Sequence, residues 1–229
     1  MITTLIPTEL WLPEDKSVRS RGIHQSKIVR AIAAETGILD AKWVEDLSLV
    51  DRSSAGWWSN LDEASRLRIA IGIAWEEWYI PLLPNVVKHP GEMCIEGVYM
   101  THDGESLDTL VRLADGRHEY ELALHEVKTT YKSIKTVAPK LIDDTSDTPD
   151  LSSQWMWLAQ TKAYCKGLGA LVAYLHVLFI CGDYKFPISP QLKLWRIDYT
   201  QDEIQENWEL MMDYVRHRRQ IAAEGGEPL

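Results

Sequence analysis

The chain has 229 residues, 45% of them hydrophobic and 25% charged, with a formal net charge of −10 at pH 7. That is enough apolar material for one domain with a sizeable core, and the acidity excludes a protein that coats nucleic acid over its whole surface, which would be basic. No apolar run reaches the roughly 18 residues of a membrane span, the N-terminus lacks a basic stretch followed by an apolar one, and Cys94, Cys165 and Cys181 show no C-x-x-C spacing. A spanning helix, a secretory signal, a disulfide framework and a zinc knuckle are therefore not expected, and a cytoplasmic protein is.

Residues 1 to about 23, with Pro7 and Pro13, read as an irregular arm. From Ser26 to Thr36 apolar residues recur near helical spacing, and Gly37 supplies a stop. Residues 39–60 are poorly periodic, with Trp43, Trp57 and Trp58 as anchors onto the main body. The expected organisation is an arm and helical extension over 1–60, packed on a main domain over 61–229. A helix is predicted from about 62 to 79, opened by a capping box at Asn60 and Glu63 and closed by Pro81 and Pro84. Leu67, Ile71, Ala74 and Trp78 would form its buried stripe. Glu76 and Glu77 interrupt the hydrophobic second half of this helix.

Three strands in a meander follow, over 93–100, 106–113 and 118–128, separated by the Asp103-Gly104 and Asp115-Gly116 turns. This arrangement puts Asp108 in the middle strand, beside Glu126 on its neighbour. The third strand, HEYELALHEVK, ends in a carboxylate and an amine two residues apart. Strand side chains alternate between faces, so Glu126 and Lys128 project together with Leu122 and Leu124, while Val127 points the other way. Residues 129–150 read as a long loop in which Lys132, Lys135 and Lys140 follow Lys128.

A second helix is predicted over 152–166, stopped by Gly167, with Gln160 and Tyr164 four apart on one face. The apolar run 170–181 suits a strand buried on both faces, and His176 within it reads as a satisfied core histidine. A further strand spans 192–199. The Thr200-x-x-Glu203 capping box opens a last helix to about Ala222, with Ile204, Trp208, Met211 and Val215 as its buried stripe. Arg216, His217, Arg218 and Arg219 crowd its last turn, where cations suit the helix dipole.

A carboxylate able to hold a divalent metal, beside an ammonium able to orient water or meet developing negative charge, suits metal-assisted phosphodiester cleavage. Alone, E-x-K is a common surface pair. In the order helix, meander, helix, strand, however, Glu76, Asp108, Glu126-Val127-Lys128 and Gln160-x-x-x-Tyr164 resemble the PD-(D/E)xK nuclease superfamily, in particular its RecB-like and lambda-exonuclease-like, phage-type branch. The resemblance covers roughly residues 62–182. GIAWEE resembles the helix-one glutamate motif, LDTLVRLADGRHEYELALHEVKTT the acidic residue, hairpin and E-x-K strand, and QTKAY the Q-x-x-x-Y motif. The proline expected before the aspartate is Leu107 here. Asp103 is a rival for Asp108, and Glu77 for Glu76.

The resemblance implies an α/β (α+β) fold with a restriction-endonuclease-like core. A mixed central sheet would be flanked by helices, with a helical N-terminal extension and a C-terminal strand and helix. It implies a DNA exonuclease in recombination, repair or phage DNA processing, in the host cytoplasm if phage-encoded. Asp108, Glu126, the Val127 carbonyl and Glu76 would bind Mg²⁺ or Mn²⁺, whose preference for hard oxygen donors they match. Lys128 would orient the attacking water. Gln160 and Tyr164 would support the site, and Lys132, Lys135, Lys162 and Lys166 would contact phosphates. A single-strand-annealing or recombination protein would be a partner of such an enzyme, and an oligomer is compatible with the branch. Three unclustered cysteines argue against the iron–sulfur subgroup, which needs four. An endonuclease of restriction or repair type, and a catalytically silent DNA-binding or assembly member of the same fold, are the alternatives.

Overall fold

The computed structural model describes residues 22–39, 57–88, 90–112, 118–137 and 154–224. Most of the arm and extension expected over 1–60 lies outside these residues, as do the Asp115-Gly116 turn, Lys140 and the rest of 138–153. Two sheets organise the fold. The smaller contains β1 (Ile23–His24), β3 (Glu92–Ile95) and β4 (Val98–Thr101), in the order β1-β4-β3. The larger is mixed, with the order β2-β5-β6-β7-β8: β2 is Val87–Lys88, β5 Gly104–Arg112, β6 His118–Thr130, β7 Val172–Phe179 and β8 Gln191–Asp198. Strands β6 and β7 run parallel in its middle, while β5 and β8 are antiparallel to them.

The expected mixed α/β architecture is therefore present, with one change in the meander. Residues 93–100 are not one strand but the hairpin β3–β4. Its two-residue loop, Glu96-Gly97, has both φ angles positive, at 50° and 81°, as a type I′ hairpin turn requires. Glu96 is held there by the Trp208 indole N–H, which donates to its Oε1 at 3.0 Å. Strand β4 thus belongs to the smaller sheet, and Asp103 marks the place where the chain crosses from one sheet to the other. Gly104 follows it because the crossing is tight. A Cβ there would lie 2.8 Å from Val86 Cγ1.

Five described helices flank the sheets: α1 (Gln25–Glu35), α2 (Glu63–Tyr79), the short α3 (Ile134–Val137), α4 (Trp155–Leu168) and α5 (Gln201–Ala223). On one side of the large sheet, α1, α4 and α5 pack Ile28, Ala163, Trp208 and Met211 against Leu124 of β6 and Ala173 of β7. Beside that cluster, Leu175, Val177 and Phe179 of β7 meet Ile134 and Val137 of α3. On the opposite side Val127 packs under Tyr79 and Ile80, at the end of α2.

Helix α5 keeps its expected Thr200–Glu203 capping box and its buried stripe. Helix α4 runs past Gly167 and stops at Gly169, whose φ of 70° is the left-handed cap. Gly167 instead lets Met93 approach the helix. Helix α2 departs most from expectation. Its N-cap is Asp62, whose Oδ1 accepts from the Ser65 N–H at 2.8 Å, rather than Asn60. The expected stripe is also out of phase: Leu67 and Trp78 are exposed, the latter 60%, and Ala70 and Tyr79 are the buried positions. Apolar side chains surround most of this helix, so a period of 3.6 has no preferred phase to read. Ile80→Ala is therefore expected to cost about 2–5 kcal/mol in urea unfolding. Leu67→Ala should stay within about 0.5 kcal/mol, and equal losses would contradict this placement of the helix.

Candidate active site

Strand β6 is central, and its alternation carries Glu126 and Lys128 onto the same face as Leu124. Between the two apolar clusters on that face the Glu126 carboxylate is 1% exposed. A carboxylate so placed must be paired or protonated. The Lys128 ammonium, largely buried itself, donates to Glu126 Oε1. Among the described residues, Glu126 Oε2 has no hydrogen-bond partner.

The register decides which aspartate joins this pair. Gly104 of β5 lies opposite His125 of β6, so Asp103, one residue earlier, stands beside Glu126. Its Oδ2 accepts the Val127 backbone N–H at 2.7 Å. Asp108 does not come to the site. It is the extra residue of a β-bulge, lying between the pairs Leu107–Leu122 and Thr109–Glu121. At about 3.3 Å per residue, the four to five residues separating its position from Glu126 amount to roughly 13–16 Å. Its side chain is outside the described residues. The rival aspartate of the sequence reading, which turn chemistry alone seemed to explain, is the one beside the E-x-K strand.

Helix α2 supplies Glu76. Burial, foremost, and the Asp103 carboxylate push its pKa up to about 8, while Lys128 acts in the opposite direction. Glu126 is pushed up to about 8 by the same causes, with Glu76 adding to the repulsion. Burial alone would pull the Lys128 ammonium down, but Glu126, Asp103 and Glu76 outweigh it and hold it above its ordinary value. Glu77 turns away and pairs with Lys88. Gln160 donates to the Tyr164 hydroxyl at 2.8 Å, and the Tyr164 ring lies 6.2 Å from that of His102, the neighbour of Asp103. These two therefore support the site at one remove.

Of the basic residues, Lys132 lines a groove of about 870 Å³ that runs from Glu76 along Leu67, Arg68 and Ile73 to Thr129 and Tyr131. Lys135 sits 3.4 Å from Asp183. Lys162 and Lys166 are not brought to the site. The first lies over the Tyr199 ring and the second donates to Gln205 of α5.

A second polar assembly, not foreseen from the sequence apart from the burial of His176, crosses the other face of the sheet. The Tyr79 hydroxyl meets His176 Nδ1 at 2.9 Å, His176 Nε2 meets His125 Nδ1 at 3.0 Å, and His125 Nε2 meets the Ser106 hydroxyl at 2.9 Å. Burial and the neighbouring His125 push His176 down to about 3, so it is neutral. The chain ties α2, which carries Glu76, to the strands that carry Glu126. Its sequence signal was a histidine in each of two strands whose pairing was unknown; the register sets them diagonally, with His125 opposite Tyr174 and His176 opposite Val127.

Among the described residues, no three His, Cys, Asp or Glu side chains are grouped to ligate an ion as they stand; the Lys128 ammonium occupies Glu126 Oε1. The donor set nevertheless fits a hard divalent cation in kind. It consists of carboxylates, one buried oxygen among them has no hydrogen-bond partner among the described residues, and two acids are pushed up to about 8 by burial, foremost, and by neighbouring negative charge that a cation would offset.

No family model matches the chain, and no curated protein matches it either. Solved structures similar to it include an alkaline exonuclease, LHK-Exo, from Laribacter hongkongensis, at 13% identity over 89% of each chain with a TM-score of 0.48. A phage related exonuclease from Haemophilus somnus 129PT is similar at 12% identity over 91% of this chain and 98% of that one, also with a TM-score of 0.48. SSO0001 is similar at 11% identity over 89% of this chain and 80% of that one, with a TM-score of 0.45.

Two measurements test this geometry. Glu76 and Glu126 bind protons more tightly folded than unfolded. Their contribution to stability is full below the ordinary value of 4.5 and is lost as pH rises through about 8. Melting in EDTA should therefore fall across that window, Glu126→Gln should flatten the fall, and Mn²⁺ should stabilise more at its upper end; a pH-independent melt contradicts the site. Tyr79→Phe leaves His176 Nδ1 without this partner and should cost about 1–3 kcal/mol in urea unfolding.

Proposed function

We propose that the protein is a metal-dependent DNA nuclease of the PD-(D/E)xK kind, acting as an exonuclease. The observation that carries this reading is the meeting of Asp103, Glu126 and Lys128 at one buried strand, with Glu76 lining a groove and with burial, foremost, and the Asp103 carboxylate pushing both glutamates up to about 8. A purely structural ion pair needs neither the additional acids nor the groove.

Under this reading Glu126, Asp103 and Glu76, with the Val127 carbonyl, would hold Mg²⁺ or Mn²⁺. Such an ion supplies Lewis-acid stabilisation of phosphoryl charge and an activated water. Lys128 remains an ammonium, because the surrounding carboxylates hold its proton. It can therefore donate to a water or to a phosphoryl oxygen as charge develops, but it cannot act as the base. Asp103 also holds the β6 backbone through Val127, so its loss would disturb both charge and position. Gln160 and Tyr164 keep the α4 side of the site in place. The exonuclease assignment, and a recombination or annealing protein as partner, rest on the sequence resemblance of the QTKAY helix motif.

With Mg²⁺ or Mn²⁺ the purified chain should digest end-labelled linear DNA and spare closed circular DNA. Cutting of circles would make it an endonuclease. Glu126→Gln, Lys128→Ala and Asp103→Asn should each lower the rate by roughly 10²–10³-fold or more with circular dichroism unchanged. Asp108→Asn should retain activity. The reverse outcome for the two aspartates would move the site back to the bulge, and undiminished cleavage by Lys128→Ala would remove the mechanism.

A further inference from the structure

The connection between β7 and β8 carries aromatic surface that the core does not use. Phe186 is 95% exposed and Tyr184 55% exposed. Neither belongs to an apolar cluster among the described residues, and an exposed group of large apolar side chains commonly marks a contact surface.

This connection is pinned to the end of β6. The Ile180 N–H donates to the Thr130 carbonyl and the Ile134 N–H to the Gly182 carbonyl, both at 3.0 Å. The Tyr184 hydroxyl donates to the Tyr131 carbonyl. Tyr131, itself exposed, and Lys132 line the groove that ends at Glu76. The aromatic surface thus continues the groove outward from the acidic site.

Its charge is opposite to that of the chain as a whole. Lys135 and Lys185 both stand near Asp183, at 3.4 and 3.7 Å, so two ammonium groups share one carboxylate. Lys132 adds a third cation on a protein whose net charge is −10. Exposed rings interleaved with lysines match the chemistry of an unpaired nucleic-acid strand, whose bases present ring faces and whose phosphates need cations. A duplex hides its base faces in the stack and would leave the rings without partners. A second copy docking through the same patch would bring two sets of these lysines together, which opposes association.

We propose that Tyr131, Tyr184 and Phe186, with Lys132, Lys135 and Lys185, bind the unpaired strand of DNA that enters or leaves the groove. This deepens the nuclease reading and rests on it for the identity of the nucleic acid. The rings stack on bases in any sequence, and the lysines follow the backbone.

Binding of the full chain in EDTA to a 2-aminopurine-labelled single-stranded oligonucleotide, and to the blunt duplex of the same sequence, tests the proposal. Tyr184→Ala combined with Phe186→Ala should weaken single-strand binding by about tenfold or more, with duplex binding changed by less than about twofold. Lys185→Ala should lower the slope of log affinity against log salt by about 0.7. In turnover on DNA with a single-stranded tail, the ring variant should raise KM and keep kcat. Single-strand affinity within about twofold of wild type, or an equal loss on duplex, overturns the proposal. So does a ring variant that only dissociates a dimer in sedimentation, which would give the face to a second copy. A wild-type chain that binds single strands through the rings but cleaves nothing with Mn²⁺ would sink the nuclease reading and uphold this surface.

Discussion

A carboxylate buried in the middle of a sheet, with one ammonium to answer it, is the constraint around which this molecule is arranged. Water is kept from Glu126 by apolar clusters on either side of it, so its charge cannot be solvated, and Lys128 two residues on is the cation that meets it. Asp103 and Glu76 then add negative potential that the single ammonium does not balance. Such an arrangement is a cost to the apo fold. It persists because β6 is hydrogen-bonded to β5 on one side and β7 on the other, so the strand cannot turn its charged face to solvent without breaking two ladders.

The rest of the scaffold holds the acids in that strained relation. The crossing from β4 to β5 delivers Asp103 beside Glu126, and its bond to the Val127 amide fixes the crossing against the strand. On the opposite face the Tyr79–His176–His125–Ser106 chain links the helix of Glu76 to three strands. In a two-histidine chain of this kind each neutral ring offers one donor and one acceptor, so every link is satisfied only if all point the same way. That directional requirement makes the chain sensitive to the loss of any member.

How far these features could be read in advance differs from element to element. Glu126 and Lys128 were legible because period-two alternation depends only on neighbours in sequence. The same is true of the Thr200–Glu203 cap and of the Gln160–Tyr164 pair, each one helical turn across. Asp108 was preferred to Asp103 because Asp103-Gly104 reads as a turn and because the register of the β5–β6 pairing is not written in the sequence. The bulge in β5, the Glu96-Gly97 turn and the switch between sheets each changed which residue faces which. Lys162 and Lys166 were expected to contact phosphates, but their side of α4 is the one that meets Tyr199 and Gln205. Helix α2 was recognised as a helix and misjudged in phase, since nearly every face of it is apolar.

By itself, then, the order of residues determined the succession of the helices and most strands, the cap of the last helix, and the pairing of one acid and one amine on a strand face. These are interactions between residues a few positions apart, and the geometry of a helix or strand settles them. Which aspartate meets Glu126, which glutamate of α2 pairs with Lys88, how two distant histidines bond, and where exposed rings join a groove were decided only by strand register and helix docking. Those depend on contacts between segments far apart in the chain, and a shift of one residue in any of them turns a side chain to the other face.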